Sequence, residues 1–394
     1  MEPSHFFPAD ELTPRLERLR ATVAAAGLDG ALLHGTSNLL YFAGTAQQAH
    51  LWVPVADRPV LLVRRVLERA RLDSPLEDVR PFRSMRDLPV TLGPVRRLGL
   101  ELDILPVSHF ERYRKVLPQA EMVDVGPSTR LLRSVKSRLE IARIRAAAAT
   151  AHATFLEVVD ALREGMTELE LAIVAEGAER RHGSQGFVRW RSAIGFECPW
   201  VHVLAGESAL AFSFSDSPFG GEGVSAAAPY GAGSRAIRRG MPVCFDLALA
   251  RDGYLHDMTR ILSLGHLSRQ LDEAHEVCRS IHAMFRAEAR PGVTAEQLWD
   301  RSLAIATEAG LADHFMGWGE HRVRFVGHGL GLELDELPVI APGQRQELEA
   351  GNVIAVEPKM FFPGVGAVGL ENTYAIHGDR VETLTVTPDE IAVV

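Results

Sequence analysis

One pattern occurs twice in this chain and constrains its fold most. Arg138 to Arg163 is a long alanine-rich helical run. It is followed by Gly165-Met166-Thr167 and a helix opened by Thr167, with Glu170 three residues on. Ser268 to Ala289 is again a long helix, followed by Gly292-Val293-Thr294 with Gln297 three residues on. In each copy the threonine hydroxyl can cap a free backbone amide while the Glu or Gln side chain reaches back, forming a capping box. Strand-like sequence follows each helix pair. Two copies of helix–helix–hairpin predict an internally duplicated α+β domain with a pseudo-two-fold axis.

Ahead of the duplication, residues 10–125 alternate between helix and strand. Glu11 to Ala26 reads as an amphipathic helix stopped by Gly27. Gly30 to His34, Leu51 to Val55, Pro59 to Val63 and Val95 to Leu100 read as strands, and Ser108 to Leu117 as a helix. This predicts a small α/β domain over residues 1–126 and a second domain over 127–394, joined at Val125-Gly126-Pro127-Ser128. A length of 394 residues accommodates two domains.

Composition excludes several classes. Lys and Arg total 42 against 51 Asp and Glu, a net charge of −9, which argues against a nucleic-acid partner. No run approaches the roughly 18 apolar residues of a membrane span. The start, Met1 to His5, has no basic region before an apolar stretch, so no secretory signal is expected. Cys198, Cys244 and Cys278 are far apart and form no CxxC, which fits a reducing cytoplasm and no disulfide scaffold. Lys115, Lys136 and Lys359 are the only lysines, which reads as coding bias.

Chemistry concentrates in three segments. In Val243 to Arg260, Asp252-Gly253 is a strong hairpin signal. With those two as the turn, residues whose numbers sum to 505 face each other, and Asp246 and Asp257 share a face as a diagonal pair. Two aspartates on one face of an apolar hairpin repel each other unless a cation lies between them or a strand end is solvated. His328 lies in Gly327-His328-Gly329-Leu330-Gly331, where close backbone approach suits a ligand, although a structural histidine reads the same. Glu357 ends the apolar strand Asn352 to Val356, and Glu371 is embedded in the strand-like run Val368 to Ile376. About the Pro363-Gly364-Val365-Gly366 turn the two glutamates share a face. Two aspartates, a histidine and two glutamates suit hard to borderline divalent ions such as manganese or cobalt, with zinc also possible.

At these residues the sequence resembles the pita-bread metallohydrolases, the prolidase, Xaa-Pro aminopeptidase and creatinase type. Asp246, Asp257, His328, Glu357 and Glu371 follow that family's ligand order. Tyr254 to Arg260 and Leu132 to Ser137 add to the match. The resemblance is close over residues 130–394 and weaker over the N-terminal α/β domain. It implies two divalent ions: Asp246 on one, Asp257 and Glu371 bridging, His328 and Glu357 on the second, with Glu357 also counted as a catalytic carboxylate. It further implies metal-activated hydroxide attack on a small peptide of the Xaa-Pro type, and a homodimer.

The sequence departs from that family where substrate would lie. Asp335 stands where a second histidine is usual, Gly369 where an arginine is common, and Ala228-Pro229-Tyr230 where a further histidine is expected. His202 is the candidate replacement as proton shuttle. Arg189, Arg191 and Arg324 are candidates to grip a substrate carboxylate. The glycine-rich stretch Ser217 to Gly223 reads as a lid or a surface loop. Gly364 to Gly369 matches GxGxxG but is followed by strand, not helix, so no dinucleotide is expected. The departures keep a non-peptide C–N hydrolase or lyase open, and less strongly a non-catalytic peptide-binding module.

Overall fold

The computed structural model describes residues 6–192, 200–215 and 217–394. Cys198 and the Met1 to His5 start lie outside the described residues. The chain divides into two compact units at Arg133/Ser134, and Arg191 and Ser192 belong with the first. The junction expected at Val125 to Ser128 falls at the start of a continuous helix, Gly126–Ser134.

In the first unit the helix Ala9–Ala25 buries Leu12, Leu16, Leu19 and Val23, the spacing of one helical face. Its described strands are β1 (Gly30–Leu33), β2 (Ala49–Pro54), β3 (Val60–Val63), β4 (Val79–Pro81), β5 (Arg97–Leu100) and β6 (Glu121–Asp124). They form one sheet in the order β4-β3-β2-β1-β5-β6. β1 runs antiparallel to β2 and parallel to β5, so this is the small α/β domain expected.

The second unit carries β7 (Val201–Ala205), β8 (Val243–Arg251), β9 (Tyr254–Ser263), β10 (Gly327–Gly329), β11 (Glu336–Ile340) and β12 (Val353–Val356). After these come β13 (Lys359–Phe362), β14 (Gly366–Gly369), β15 (Asn372–Ile376), β16 (Val381–Thr383) and β17 (Ala392–Val393). The sheets run β17-β9-β8-β7 and β11-β10-β12-β15-β16, with β13-β14 as a separate ribbon.

The duplication is visible bond by bond. Both capping boxes form, at Thr167 with Glu170 and at Thr294 with Gln297. In the first copy Gly165 N donates to Ile237 O and Ile237 N to Met166 O; in the second, Gly292 N donates to Leu348 O and Leu348 N to Val293 O. Each helix pair then covers its own sheet. Ala147, Ala151 and Phe155 with Leu171 and Ala175 pack on Val203, Phe245 and Leu247. Leu271, Ile281 and Phe285 with Leu298 pack on Ile354, Val356 and Tyr374. The faces these sheets turn away from their helices are left for the site.

Candidate metal centre

The β8–β9 hairpin turns at Asp252 and Gly253, whose φ values of 49° and 82° are the left-handed pair such a tight turn needs. Its register places Asp246 opposite Thr259 and Ala248 opposite Asp257, so the two aspartates are diagonal neighbours on one face. His328, on β10, pairs with Ala355 of β12. Glu357 follows β12, its N–H donating to Val326 O at 2.9 Å. The run Val368 to Ile376 is not one strand as expected: it breaks at Leu370-Glu371, where the chain leaves the β13–β14 ribbon to pair with β12. The break is held by Glu371 N donating to Thr259 O at 3.1 Å and by the Arg260 guanidinium on Glu371 O at 2.7 Å.

The five expected residues converge. Asp257, His328 and Glu371 are buried, with one donor atom of each lying within 4.8 Å of the others. The His328 Nε2 is 3.6 Å from Glu357 Oε1 and 3.9 Å from Asp257 Oδ2. Its Nδ1 lies 3.1 Å from both Gly329 O and Leu334 O. A carbonyl only accepts, so Nδ1 carries a proton, and in the neutral ring the Nε2 lone pair faces the carboxylates, a tautomer suited to metal ligation through Nε2. Thr259 Oγ1 donates to Glu371 Oε2 at 2.8 Å and orients it.

The electrostatics are those of crowded anions. Burial, then the charges of Glu371, Asp246 and Glu357, pushes the Asp257 carboxyl well above its usual range. Burial pushes Glu371 up to about 8, with neighbouring Glu357 and Asp246 adding to it and Lys359 opposing. Burial works against a cationic His328, but Asp335, Glu357 and Glu371 outweigh it and hold its pKa above the ordinary value. Asp257 Oδ1 is buried without a hydrogen-bond partner. A buried carboxylate oxygen left in this way, beside a second carboxylate and an imidazole lone pair, fits a divalent cation.

Lys359 was not anticipated at the site. Its Nζ lies 3.5 Å from Asp246 Oδ2 and 3.7 Å from Glu371 Oε2, and it hydrogen-bonds Glu357 Oε2. Two of the chain's three lysines are buried in ion pairs, since Lys136 Nζ also sits 3.1 Å from Glu336 Oε2. The available signal was proximity in sequence: Lys359 is two residues after Glu357, at the start of the apolar strand that follows it.

The other candidates are placed as follows. His202, on β7, is directly opposite Asp246, and the Tyr230 ring stands edge-on to it at 4.7 Å. Asp335 Oδ1 is 3.5 Å from His328 Nδ1. Arg191 belongs to the first unit, where Asp103 grips it at 2.6 and 2.9 Å. Arg189 is half-buried, its guanidinium stacked 5.2 Å from the Phe187 ring. Arg324 is exposed and lines a cleft of about 530 Å³ with Phe212, Ser213 and His321. Ser217 to Gly223 is not a surface loop throughout: Pro218 to Gly221 are buried, with Gly221 N on Ala211 O and Gly231 N on Gly220 O.

A creatinase-type N-terminal domain followed by a duplicated α+β domain with clustered carboxylates and a histidine defines a metallopeptidase of the pita-bread fold. Residues 142–378 match metallopeptidase family M24 and residues 15–135 match the creatinase/prolidase N-terminal domain, and the chain belongs to family M24. A Xaa-Pro dipeptidase of Pyrococcus horikoshii is 26% identical over 385 residues, covering 97% of this chain and 99% of that one. A second, of Pyrococcus furiosus, is 27% identical over 380 residues, covering 96% and 99%. The solved structure of a Xaa-Pro dipeptidase from Bacillus anthracis matches with a TM-score of 0.83 at 24% identity, covering 97% of this chain and 100% of that one. Among the described residues, no helix is long and apolar enough to cross a membrane.

Proposed function

We propose that this metallopeptidase hydrolyses small peptides of the Xaa-Pro type, using divalent metal held by Asp257, His328 and Glu371 with Glu357 and Asp246 beside them. The observation that carries the reading is the buried cluster of Asp257, His328 and Glu371 with the His328 Nε2 lone pair turned into it. When bound, a divalent cation there polarises a carbonyl and lowers the pKa of water. Manganese and cobalt suit the oxygen-rich donors best.

The chain's own residues supply the rest. Thr259 holds Glu371 in one orientation through a 2.8 Å hydrogen bond. Glu357 Oε1 points to the His328 side while its other oxygen is taken by Lys359, so Oε1 is the atom placed to accept a proton. His202, across from Asp246, is assigned the transfer of a proton to the leaving amine. The homodimer implied by the sequence resemblance is retained as part of this proposal.

A non-peptide amide as substrate is the second reading, favoured by one observation. Asp335 places an anion 3.5 Å from His328 where a free dipeptide's carboxylate would be repelled. The test is a panel of Xaa-Pro dipeptides, longer peptides with Xaa-Pro at the N-terminus, and neutral small amides, run on metal-stripped protein reloaded with manganese, cobalt or zinc. Hydrolysis of longer peptides above free dipeptides, abolished by Asp257→Ala, supports the first reading. Turnover confined to neutral amides supports the second.

A further inference from the structure

We infer that the Lys359 ammonium takes the place of one cation of the expected pair, so that each chain binds a single divalent ion, held by Asp257, His328 and Glu371. This rests on the proposed metal-dependent function and specifies its site. Four carboxylates and one imidazole are enough donors for two ions, but they are not equally available. Asp257, His328 and Glu371 present one donor atom each within 4.8 Å of one another. Asp246, the residue that would hold the other ion, faces Lys359 Nζ at 3.5 Å, and the same ammonium takes Glu357 Oε2 and lies 3.7 Å from Glu371 Oε2, leaving Glu357 Oε1 on the His328 side. An ion bound by Asp246 would have a fixed positive charge next to it, among the same oxygens.

The lysine is built into this position. Lys359 is 1% exposed and opens β13 directly after Glu357-Pro358, the link from β12, and its ammonium reaches back to Glu357 Oε2. Across the ribbon it pairs with Gly369. A Cβ at 369 would lie 2.5 Å from Lys359 Cγ, so the glycine found there lets the lysine stem pass. Above the ammonium lies the Phe219 ring, 4.9 Å from Nζ to the centroid, on the buried part of the Ser217 to Gly223 stretch. Lys359, Gly369 and Phe219 thus serve one cation. The ammonium also carries hydrogen-bond donors but no vacant coordination position, so it balances charge and orients Glu357 without binding water as an ion does.

The experiment counts metal rather than activity. Purified full-length protein is stripped with chelator, titrated with manganese by calorimetry, and its bound metal measured by mass spectrometry, alongside Lys359→Ala and Lys359→Arg. The expected result is one equivalent in the wild type and in Lys359→Arg, and a second equivalent in Lys359→Ala. Two tight equivalents in the wild type, or one in Lys359→Ala, overturn the inference and leave metal-dependent hydrolysis standing. No bound metal in any of the three overturns both. Should Lys359→Ala not fold, anomalous diffraction from manganese-soaked wild-type crystals decides: one peak among Asp257, His328 and Glu371 is expected, and a second peak beside Asp246 overturns the inference.

Discussion

At the scale of single residues, the site is ordered as much by the groups behind the donors as by the donors. Thr259 faces Asp246 across the hairpin and donates to Glu371. Loss of such a supporting hydrogen bond typically costs about 10–100-fold in metal affinity or activity. Thr259→Val keeps the shape and removes the donor, so manganese affinity measured by calorimetry is expected to fall within that range. An unchanged affinity would show that Glu371 needs no such support. Asp335 is the residue through which specificity is best tested. Its carboxylate is 42% exposed, so its repulsion of a substrate anion is screened. Asp335→His is expected to raise kcat/KM for free Xaa-Pro dipeptides by about tenfold, which corresponds to roughly 1.4 kcal/mol. Equal turnover of dipeptides by wild type and variant would remove Asp335 from the specificity argument.

At the scale of elements, the hairpin Val243 to Ser263 fixes the diagonal of Asp246 and Asp257, and its turn is what holds the register. Gly253 has φ 82° and Asp252 φ 49°. A β-branched side chain at 253 is strained by about 1–2 kcal/mol. Gly253→Val is therefore expected to lower the unfolding free energy from urea titration by that amount and to weaken metal binding in parallel. A stable variant with normal metal affinity would mean that the register does not depend on this turn. The hairpin was legible because Asp-Gly between alternating apolar residues specifies both turn and register, and the paired capping boxes made the duplication legible for the same local reason. The break at Leu370-Glu371 was not legible. It comes from Arg260 and Thr259, more than a hundred residues away in sequence, and no local periodicity records such contacts. Lys359 was missed because a lone lysine on an apolar strand signals its environment only once the strand's partner and Gly369 are known.

At the scale of the molecule, acid tests how the second unit is held together. His282 is fully buried; its Nε2 donates to Leu370 O at 3.0 Å and its Nδ1 accepts from Tyr374 Oη at 2.8 Å, an arrangement that requires the neutral ring. Burial pushes its pKa down from 6.5 to about 4. The folded value lies below the unfolded one, so this stabilisation is complete above about pH 6.5 and is lost as pH falls toward 4. The loss is roughly 1.4 kcal/mol per pH unit in that window. With chelator present, the stability of wild type relative to His282→Gln, from urea unfolding, is expected to shrink by about that slope between pH 6 and pH 4.5. A constant difference would mean that His282 is not held neutral.

The two units match the creatinase-type N-terminal domain and the M24 catalytic domain, and the candidate metal centre lies wholly within the second. Whether metal at this centre drives amide hydrolysis is decided by one titration. Manganese is added stepwise to metal-stripped protein, and bound metal and the initial rate of cleavage of a tripeptide with Xaa-Pro at its N-terminus are measured at each step. The expected result is no cleavage without metal and a rate proportional to bound manganese until the site is full. Cleavage by the stripped protein, or a fully loaded protein that cleaves neither peptide nor small amide, would contradict it.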